Sequence, residues 1–231
     1  MMNQRSRVLW TVGVMLAALS LIFTALVCVV DVQPIGPEGS RVGFAGINGA
    51  LNQRLGYRHG WYTISKVLGI LALLTAAGFA VLGLVQLIRE RDLRKVDPRI
   101  LALAGLYAAV LVLYVLFDKL ALNARPLVLD KGLEPSYPST HTLLGCCLFG
   151  SAGLVLSREP IDKRLALGCK VLFWILALLT VLSRLLSGVH WFTDILGGLL
   201  ISGTLLTFFA AALAALSERR RPVQEKYNPA P

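Results

Sequence analysis

Long apolar runs separated by short polar segments make up most of the chain as far as position 216. The first run, VLWTVGVMLAALSLIFTALVCVV, contains no charged residue, and a helix needs about 20 mostly apolar residues to cross the hydrocarbon of a bilayer. Five further runs carry few charges; they cover approximately residues 61–88, 101–117, 141–157, 166–182 and 192–216. The pattern predicts an all-α integral membrane protein with six transmembrane helices.

The composition favours the same class of protein. Hydrophobic residues make up 56% of the chain and charged residues 16%, whereas an average soluble domain has about 25% charged residues. A soluble all-helical core is the alternative, but such a core does not require apolar runs of this length. For the first run the alternative is a cleaved signal peptide, whose apolar part is shorter. We interpret the first run as an uncleaved anchor.

Basic residues are distributed unevenly over the segments that connect the runs. They precede the first run and are concentrated in RERDLRKVDPR, REPIDKR and SERRRPVQEK, which lie on one side of a six-span topology. Because basic loops are retained in the cytoplasm, both termini are predicted to be cytoplasmic. Anionic membrane lipids account for the net charge of +10 on this side. Nucleic acid is not an expected partner.

The chain is predicted to form one membrane domain, residues 1–217, followed by a basic cytoplasmic tail, residues 218–231, that is disordered. In the first outer loop, Ile47, Leu51 and Leu55 have helical spacing, and both a short interfacial helix and an ordinary loop fit this segment. The four cysteines fall within predicted spans and lack the Cys-x-x-Cys spacing of a zinc site. They are interpreted as packing residues, and no metal or cofactor is expected.

The segment SRLLSGVHWFTDILGG, between the fifth and sixth runs, contains three ionisable residues where apolar side chains are expected. Such groups are costly at membrane depth unless they face a polar cavity or one another. If the sixth helix begins near Val189, His190 and Asp194 share one helical face. The carboxylate then orients the imidazole and leaves one ring nitrogen free to attack. Arg184 adds a planar set of donors that suits phosphate.

Two more polar clusters lie on the same predicted outer face. EPSYPSTH ends at a helix start, where unpaired N–H groups attract anions, and it contains Ser139, Thr140 and His141. Helix capping explains Ser139 and Thr140 equally well, whereas His141 suits a general acid for a leaving oxygen. DKLALNARPL adds Lys119 and Arg125. The cations, the hydroxyl and the histidines together are what phosphoryl transfer requires.

These segments resemble the three motifs of the type 2 phosphatidic acid phosphatases, a family related in its active site to the vanadium haloperoxidases. SRLLSGVHWFTD matches the third motif, Ser-Arg, five residues, His, three residues, Asp, and PSTH matches the second, Pro-Ser-Gly-His, with threonine replacing glycine. KLALNARP is similar to the first motif, but five residues instead of six separate Lys119 from Arg125. Asp118 occupies the family's lysine position. The motifs follow the family's order between residues 118 and 194.

The resemblance implies a metal-independent phosphatase with its active site at the outer membrane interface. By this analogy His190 attacks phosphorus to form a phosphohistidine, Asp194 orients His190, and His141 protonates the leaving oxygen. The implied phosphate-binding groups are Arg125, Arg184, Ser139, the Thr140 backbone and, if its side chain reaches the site, Lys119.

The implied substrate is a lipid phosphate or diphosphate whose chain stays in the bilayer, such as polyprenyl (undecaprenyl) diphosphate, phosphatidic acid or phosphatidylglycerol phosphate. The expected location is the plasma membrane of a bacterium. A lipid phosphotransferase that uses the same phosphohistidine is one alternative. A non-catalytic lipid-binding or transport protein is the other. The sequence does not determine the oligomeric state or the pathway.

Overall fold

The computed structural model describes residues 4–128, 132–156 and 162–227, with only the backbone for residues 218–227. This part of the chain forms seven α-helices, and its only β-structure consists of isolated bridges. The helices are α1 (Gln4–Val29), α2 (Ala45–Leu55), α3 (His59–Glu90), α4 (Pro98–Leu120), α5 (Thr140–Leu156), α6 (Lys163–Ser187) and α7 (Phe192–Tyr227). The predicted all-α class is confirmed for the described residues.

Five of the described helices are long and apolar enough to cross a membrane. They are α1, α3, α4, α6 and the part of α7 that ends at Ser217. The chain is therefore a multi-pass membrane protein, as predicted. Helix α5, the predicted fourth span, has 17 residues, which is at the lower limit for a crossing. A sixth crossing by α5 stays a prediction.

Helix α5 lies at the centre of the bundle and packs against α3, α4, α6 and α7. Most of its side chains are buried, including those of Cys146 and Cys147. This agrees with their interpretation as packing residues, whereas Cys28 is exposed and Cys169 is partly exposed. Because α5 is enclosed by other helices, its first turn is held in place on several sides.

Helix α1 packs along α7 through buried residues that are spaced seven positions apart. Its buried residues are Ser6, Gly13, Ser20 and Val27, the spacing expected for a left-handed helix pair. Ser20 Oγ forms a hydrogen bond of 3.2 Å with Thr204 Oγ1 of α7. These contacts hold the helix that carries Asp194.

For the first outer loop, the sequence left open a short helix and an ordinary loop. The structure shows a helix, α2, which contains Ile47 and Leu51. Its placement at the membrane interface stays a prediction. The disorder predicted for the tail, residues 218–231, also stays a prediction. Helix α7 extends into this tail as far as Tyr227, and residues 228–231 lie outside the described part.

Candidate active site

The loop between α6 and α7 carries His190 and is fixed by contacts from two other segments. Helix α7 begins at Phe192 rather than near Val189, so His190 precedes the first helical turn. Trp191 Nε1 donates a hydrogen bond of 2.7 Å to the backbone oxygen of Ala124. The backbone N–H of Arg58 donates to the oxygen of Ser187 at 3.1 Å. The loop thus has a defined conformation although it is not helical.

Helix α2 holds the start of α7. The side chain of Asn48 accepts a hydrogen bond of 3.2 Å from the backbone N–H of Thr193 and donates one of 2.9 Å to Thr193 Oγ1. The first N–H groups of a helix lack partners within the helix. Asn48 therefore acts as a cap supplied by another segment.

Gly188 lies where the His190 loop passes close to the chain after α2. Its φ is +69°, and a Cβ at this position would be 2.0 Å from the backbone oxygen of Gly56. We expect Gly188→Ala to destabilise the protein by about 2–4 kcal/mol, because the new methyl group has no space and the backbone conformation is strained. Thermal unfolding in detergent measures this effect.

The matched control is Gly203→Ala in α7, where an added Cβ meets no atom within 4 Å. Alanine favours a helix by about 1 kcal/mol over glycine, so this variant should be at least as stable as the wild type. Equal destabilisation by both substitutions would contradict the packing argument.

Ser136 links His190 and Asp194, the two residues predicted to act as a pair. Its hydroxyl donates a short hydrogen bond to Asp194 Oδ2, and its oxygen lies 3.0 Å from His190 Nδ1. The direct distance from His190 Nδ1 to Asp194 Oδ2 is 3.4 Å. A serine hydroxyl has a single proton. Because that proton points to the carboxylate, Nδ1 must carry the proton that His190 shares with Ser136.

The second ring nitrogen of His190 faces Arg184. Arg184 Nη2 lies 2.8 Å from His190 Nε2, and a guanidinium group only donates hydrogen bonds. Nε2 is therefore the acceptor and has a free lone pair. Burial, together with the positive charges of Arg184 and Arg125, holds the pKa of His190 well below its usual value. At neutral pH His190 is thus an uncharged imidazole with Nε2 unprotonated.

Asp194 is fully buried and connects the loop to the start of α5. Its Oδ2 accepts a hydrogen bond of 2.9 Å from the backbone N–H of Trp191, and its backbone oxygen accepts one of 2.9 Å from the N–H of Ser139. Its other carboxylate oxygen, Oδ1, is buried and accepts no hydrogen bond from the described residues. The carboxylate is thereby fixed beside Ser136 and His190.

Arg184 is completely buried although it lies in the last turn of α6. Its Nη1 donates a hydrogen bond of 3.1 Å to Ser65 Oγ of α3, and its guanidinium carbon lies 5.8 Å from the centroid of the Tyr62 ring. Arg184 thus has one nitrogen anchored on α3 and another directed at His190.

A cavity of about 670 Å³ lies between α3, α4, α5 and the loop that precedes α5. One part of its wall is polar and includes Arg125, Ser136, Thr140 and His141. The rest of the wall is largely apolar; it includes Ile70, Leu73, Tyr114, Phe117, Leu133 and Leu144. His190 is 4% exposed and lies behind Ser136. Ser136 therefore lies between the cavity and His190, with which it shares a hydrogen bond.

The remaining predicted site residues have different positions. Arg125 faces the cavity and forms an ion pair of 3.1 Å with Glu134. Ser139 is buried, and its Oγ accepts hydrogen bonds from Thr142 N and Thr142 Oγ1 at 3.4 and 3.0 Å. This is the capping role that the sequence left open. Lys119 is exposed and is not part of the cavity wall, which includes Asp118 instead.

Comparison with known proteins supports the interpretation of these motifs. Residues 118–218 match the family model of the PAP2 superfamily. The predicted resemblance to the type 2 phosphatidic acid phosphatases is confirmed. The match includes all three PAP2 motifs and the whole loop that carries His190. It supports the prediction that the chain is a phosphatase.

A solved structure of a PAP2 protein has the same fold. It is the crystal structure of the first transmembrane PAP2 type phosphatidylglycerolphosphate phosphatase from Bacillus subtilis, with a TM-score of 0.59 and 18% sequence identity. The similarity covers 94% of this chain and 98% of that chain. The fold therefore extends beyond the matched PAP2 segment to the N-terminal helices. No curated protein sequence matches this chain.

Three residues that support the site were missed by the sequence analysis. Ser136 lies inside the quoted EPSYPSTH cluster, between two prolines, but its partner His190 is 54 residues away. Ser65 and Asn48 lie in segments without any motif. For Ser65, the available signal was its position as a polar residue inside an apolar run.

In the described part of the chain, no group of three or more His, Cys, Asp or Glu side chains is placed to hold a metal ion.

Ser136→Ala tests the link between His190 and Asp194. We expect the variant to keep its fold and to lose about 10-fold to 100-fold in kcat, because the imidazole and the carboxylate remain but the hydroxyl between them is removed. Steady-state phosphate release measures this loss. Ser151→Ala, which removes a buried serine outside the site, is the control and should keep its kcat. An unchanged kcat in Ser136→Ala would show that the hydroxyl does not orient His190.

Proposed function

We propose that this chain is a metal-independent lipid phosphate phosphatase that acts through a phosphohistidine at His190. The geometry of His190 is the observation that carries this proposal. Its Nδ1–H is held by Ser136 beside Asp194, and its Nε2 lone pair faces a buried arginine donor at 2.8 Å. A neutral, oriented imidazole beside a guanidinium group combines a nucleophile with a phosphate-binding group.

In the proposed first step, a phosphate oxygen replaces His190 Nε2 as the acceptor for Arg184. The freed lone pair attacks phosphorus, the N–P bond forms, and the bond from phosphorus to the leaving oxygen breaks. His141 gives its proton to that oxygen. In the second step His141 removes a proton from water, and the resulting hydroxide cleaves the N–P bond to release inorganic phosphate. Both histidines return to their initial states.

The position of His141 fits this role. It lies in the first turn of α5 on the cavity wall, and its Nδ1 is buried without a hydrogen-bond partner. The ring packs so closely against α3 that a Cβ on Gly69 would be 3.2 Å from His141 Cδ2. His141 is therefore fixed at the cavity with a nitrogen available for proton transfer.

The largely apolar wall supports a lipid as the substrate. Ile70, Leu73 and Tyr114 belong to two helices that are long and apolar enough to cross a membrane, so an acyl or prenyl chain that enters beside them can stay in the bilayer. The distribution of basic residues supports an outward-facing site. The candidates are polyprenyl diphosphate, phosphatidic acid and phosphatidylglycerol phosphate, and the similar Bacillus subtilis protein makes the last of these a natural first test.

The test is phosphate release by the purified protein in detergent and EDTA with each of the three lipids. We expect release that EDTA does not inhibit and that is fastest with one of them. A folded protein that releases no phosphate from any of them would contradict the proposal. If an added acceptor lipid then becomes phosphorylated, the phosphotransferase alternative is supported instead.

A further inference from the structure

We propose that Lys66 of α3 provides the phosphate-binding ammonium group of this site, in place of a lysine from the first PAP2 motif. This inference rests on the proposed function and specifies one of its binding groups. Lys66 is an isolated charge within an apolar helix. Such a charge in a predicted span is expected to serve a function.

The register of α3 directs Lys66 to the cavity. The residues of α3 in the cavity wall are Lys66, Gly69, Ile70 and Leu73, at spacings of three and four that define one helical face. Gly69 on the same face contacts the ring of His141. Lys66 is therefore one helical turn from the residue that packs against the proposed general acid.

The lysine of the first PAP2 motif is not on the cavity wall. Successive residues of a helix are rotated by about 100°, so the one-residue shift of Lys119 changes the direction of its side chain. The structure places Lys119 at the surface and Asp118 on the cavity wall. At the family's lysine position this chain thus presents a carboxylate to the cavity, which repels phosphate.

The charges on the cavity wall increase the need for another cation. The guanidinium group of Arg125 is paired with Glu134 at 3.1 Å, and Asp118 adds a second negative charge. Among the described residues Lys66 forms no ion pair with a carboxylate. Its Nζ lies instead 4.9 Å from the centroid of the Tyr62 ring. Such an exposed cation–π contact contributes about 0.5–1 kcal/mol, so the ammonium group is available to a stronger partner.

Lys66 is also close to the groups that react. The Tyr62 ring that it contacts also faces the guanidinium group of Arg184. Lys66, Arg125 and His141 line the same cavity, and Arg184 contacts His190 at 2.8 Å. A phosphate between His190 and His141 is therefore within the field of all three cations, and the flexible stem of a lysine allows direct contact.

The experiment compares Lys66→Met with Lys119→Met, using the substrate that the wild type hydrolyses fastest. We expect Lys66→Met to raise KM for the lipid, and the inhibition constant of inorganic phosphate, by about 10-fold or more, because a charge-assisted contact is lost. Lys66→Arg should restore most of the affinity. Lys119→Met, and Lys170→Met on the exposed surface of α6, should stay within about twofold of the wild type.

The double variant Lys66→Met with Asp118→Lys distinguishes phosphate binding by Lys66 from a purely structural role of this residue. It returns a cation to the PAP2 motif position, and we expect it to recover more of the phosphate affinity lost in Lys66→Met than the double variant Lys66→Met with Asp118→Asn, which only removes the carboxylate. Unchanged KM and phosphate inhibition in Lys66→Met would overturn the inference, as would a larger loss in Lys119→Met.

These results can be separated from a failure of the proposed function. If the wild type releases no phosphate, titration of the purified wild type and Lys66→Met with inorganic phosphate, followed by calorimetry, measures binding directly. Weaker binding by Lys66→Met supports the lysine assignment without catalysis. Equal binding by both proteins, or no binding by the wild type, overturns it.

Discussion

Replacing His190 with glutamine is expected to lower kcat for phosphate release by at least about 1,000-fold, since the nucleophile itself is removed. Glutamine is polar and of similar size, so it preserves contacts with Ser136 and Arg184. It has no basic lone-pair nitrogen that can attack phosphorus. The measurement is steady-state phosphate release by purified protein in detergent, with thermal unfolding as the test of folding.

His59→Gln is the matched control for this substitution. His59 is exposed, and its ring contacts Tyr57 and Thr63 at the start of α3. It is not part of the cavity wall, so the control should retain wild-type activity. More than a tenth of the wild-type kcat in a folded His190→Gln protein would exclude His190 as the nucleophile.

The second large effect is expected from Arg184→Lys. Lysine keeps the positive charge but lacks the planar group that spans Ser65 and His190, so the buried ammonium cannot serve both partners. We expect kcat to fall by about 100-fold to 1,000-fold, as for the loss of a donor that stabilises transition-state charge. Steady-state kinetics measure this change.

Arg164→Lys, an exposed position in the same helix, is the control for Arg184→Lys and should behave as the wild type. Ser65→Ala removes the anchor on Arg184 Nη1 together with the hydrogen bond from Ser65 Oγ to the Tyr62 backbone oxygen, and its smaller expected loss is about 10-fold. A folded Arg184→Lys protein with kcat within threefold of the wild type would show that the planar guanidinium group of Arg184 is not required for activity.

The elements were largely predictable because their signal is local. Long apolar runs predicted α1, α3, α4 and α6, and the start of α7, to within several residues, and the PAP2-like motifs singled out His190, Asp194 and Arg184 as candidates before any geometry was known. Helix starts were less predictable. The helical pairing of His190 with Asp194 assumed a start near Val189, whereas the tight turn at Gly188 delays α7 until Phe192.

The remaining features of the site depend on contacts between distant segments. Ser136 reaches His190 only because the loop before α5 crosses the loop before α7, and a motif cannot reveal such a crossing. The different positions of Lys119 and Lys66 depend on the register of α4 against α3. A one-residue shift in a motif is visible in the sequence, but which cation replaces the shifted one is a property of helix packing.

The central claim is that phosphate passes through His190, and trapping the phosphoenzyme tests it most directly. Purified protein in EDTA is mixed with lipid labelled with ³²P in its phosphate, quenched within milliseconds at alkaline pH and digested for peptide mapping. We expect acid-labile label on the peptide that contains His190, and none in His190→Gln. Turnover of the lipid without label on that peptide, or with label on a different residue, would contradict the account.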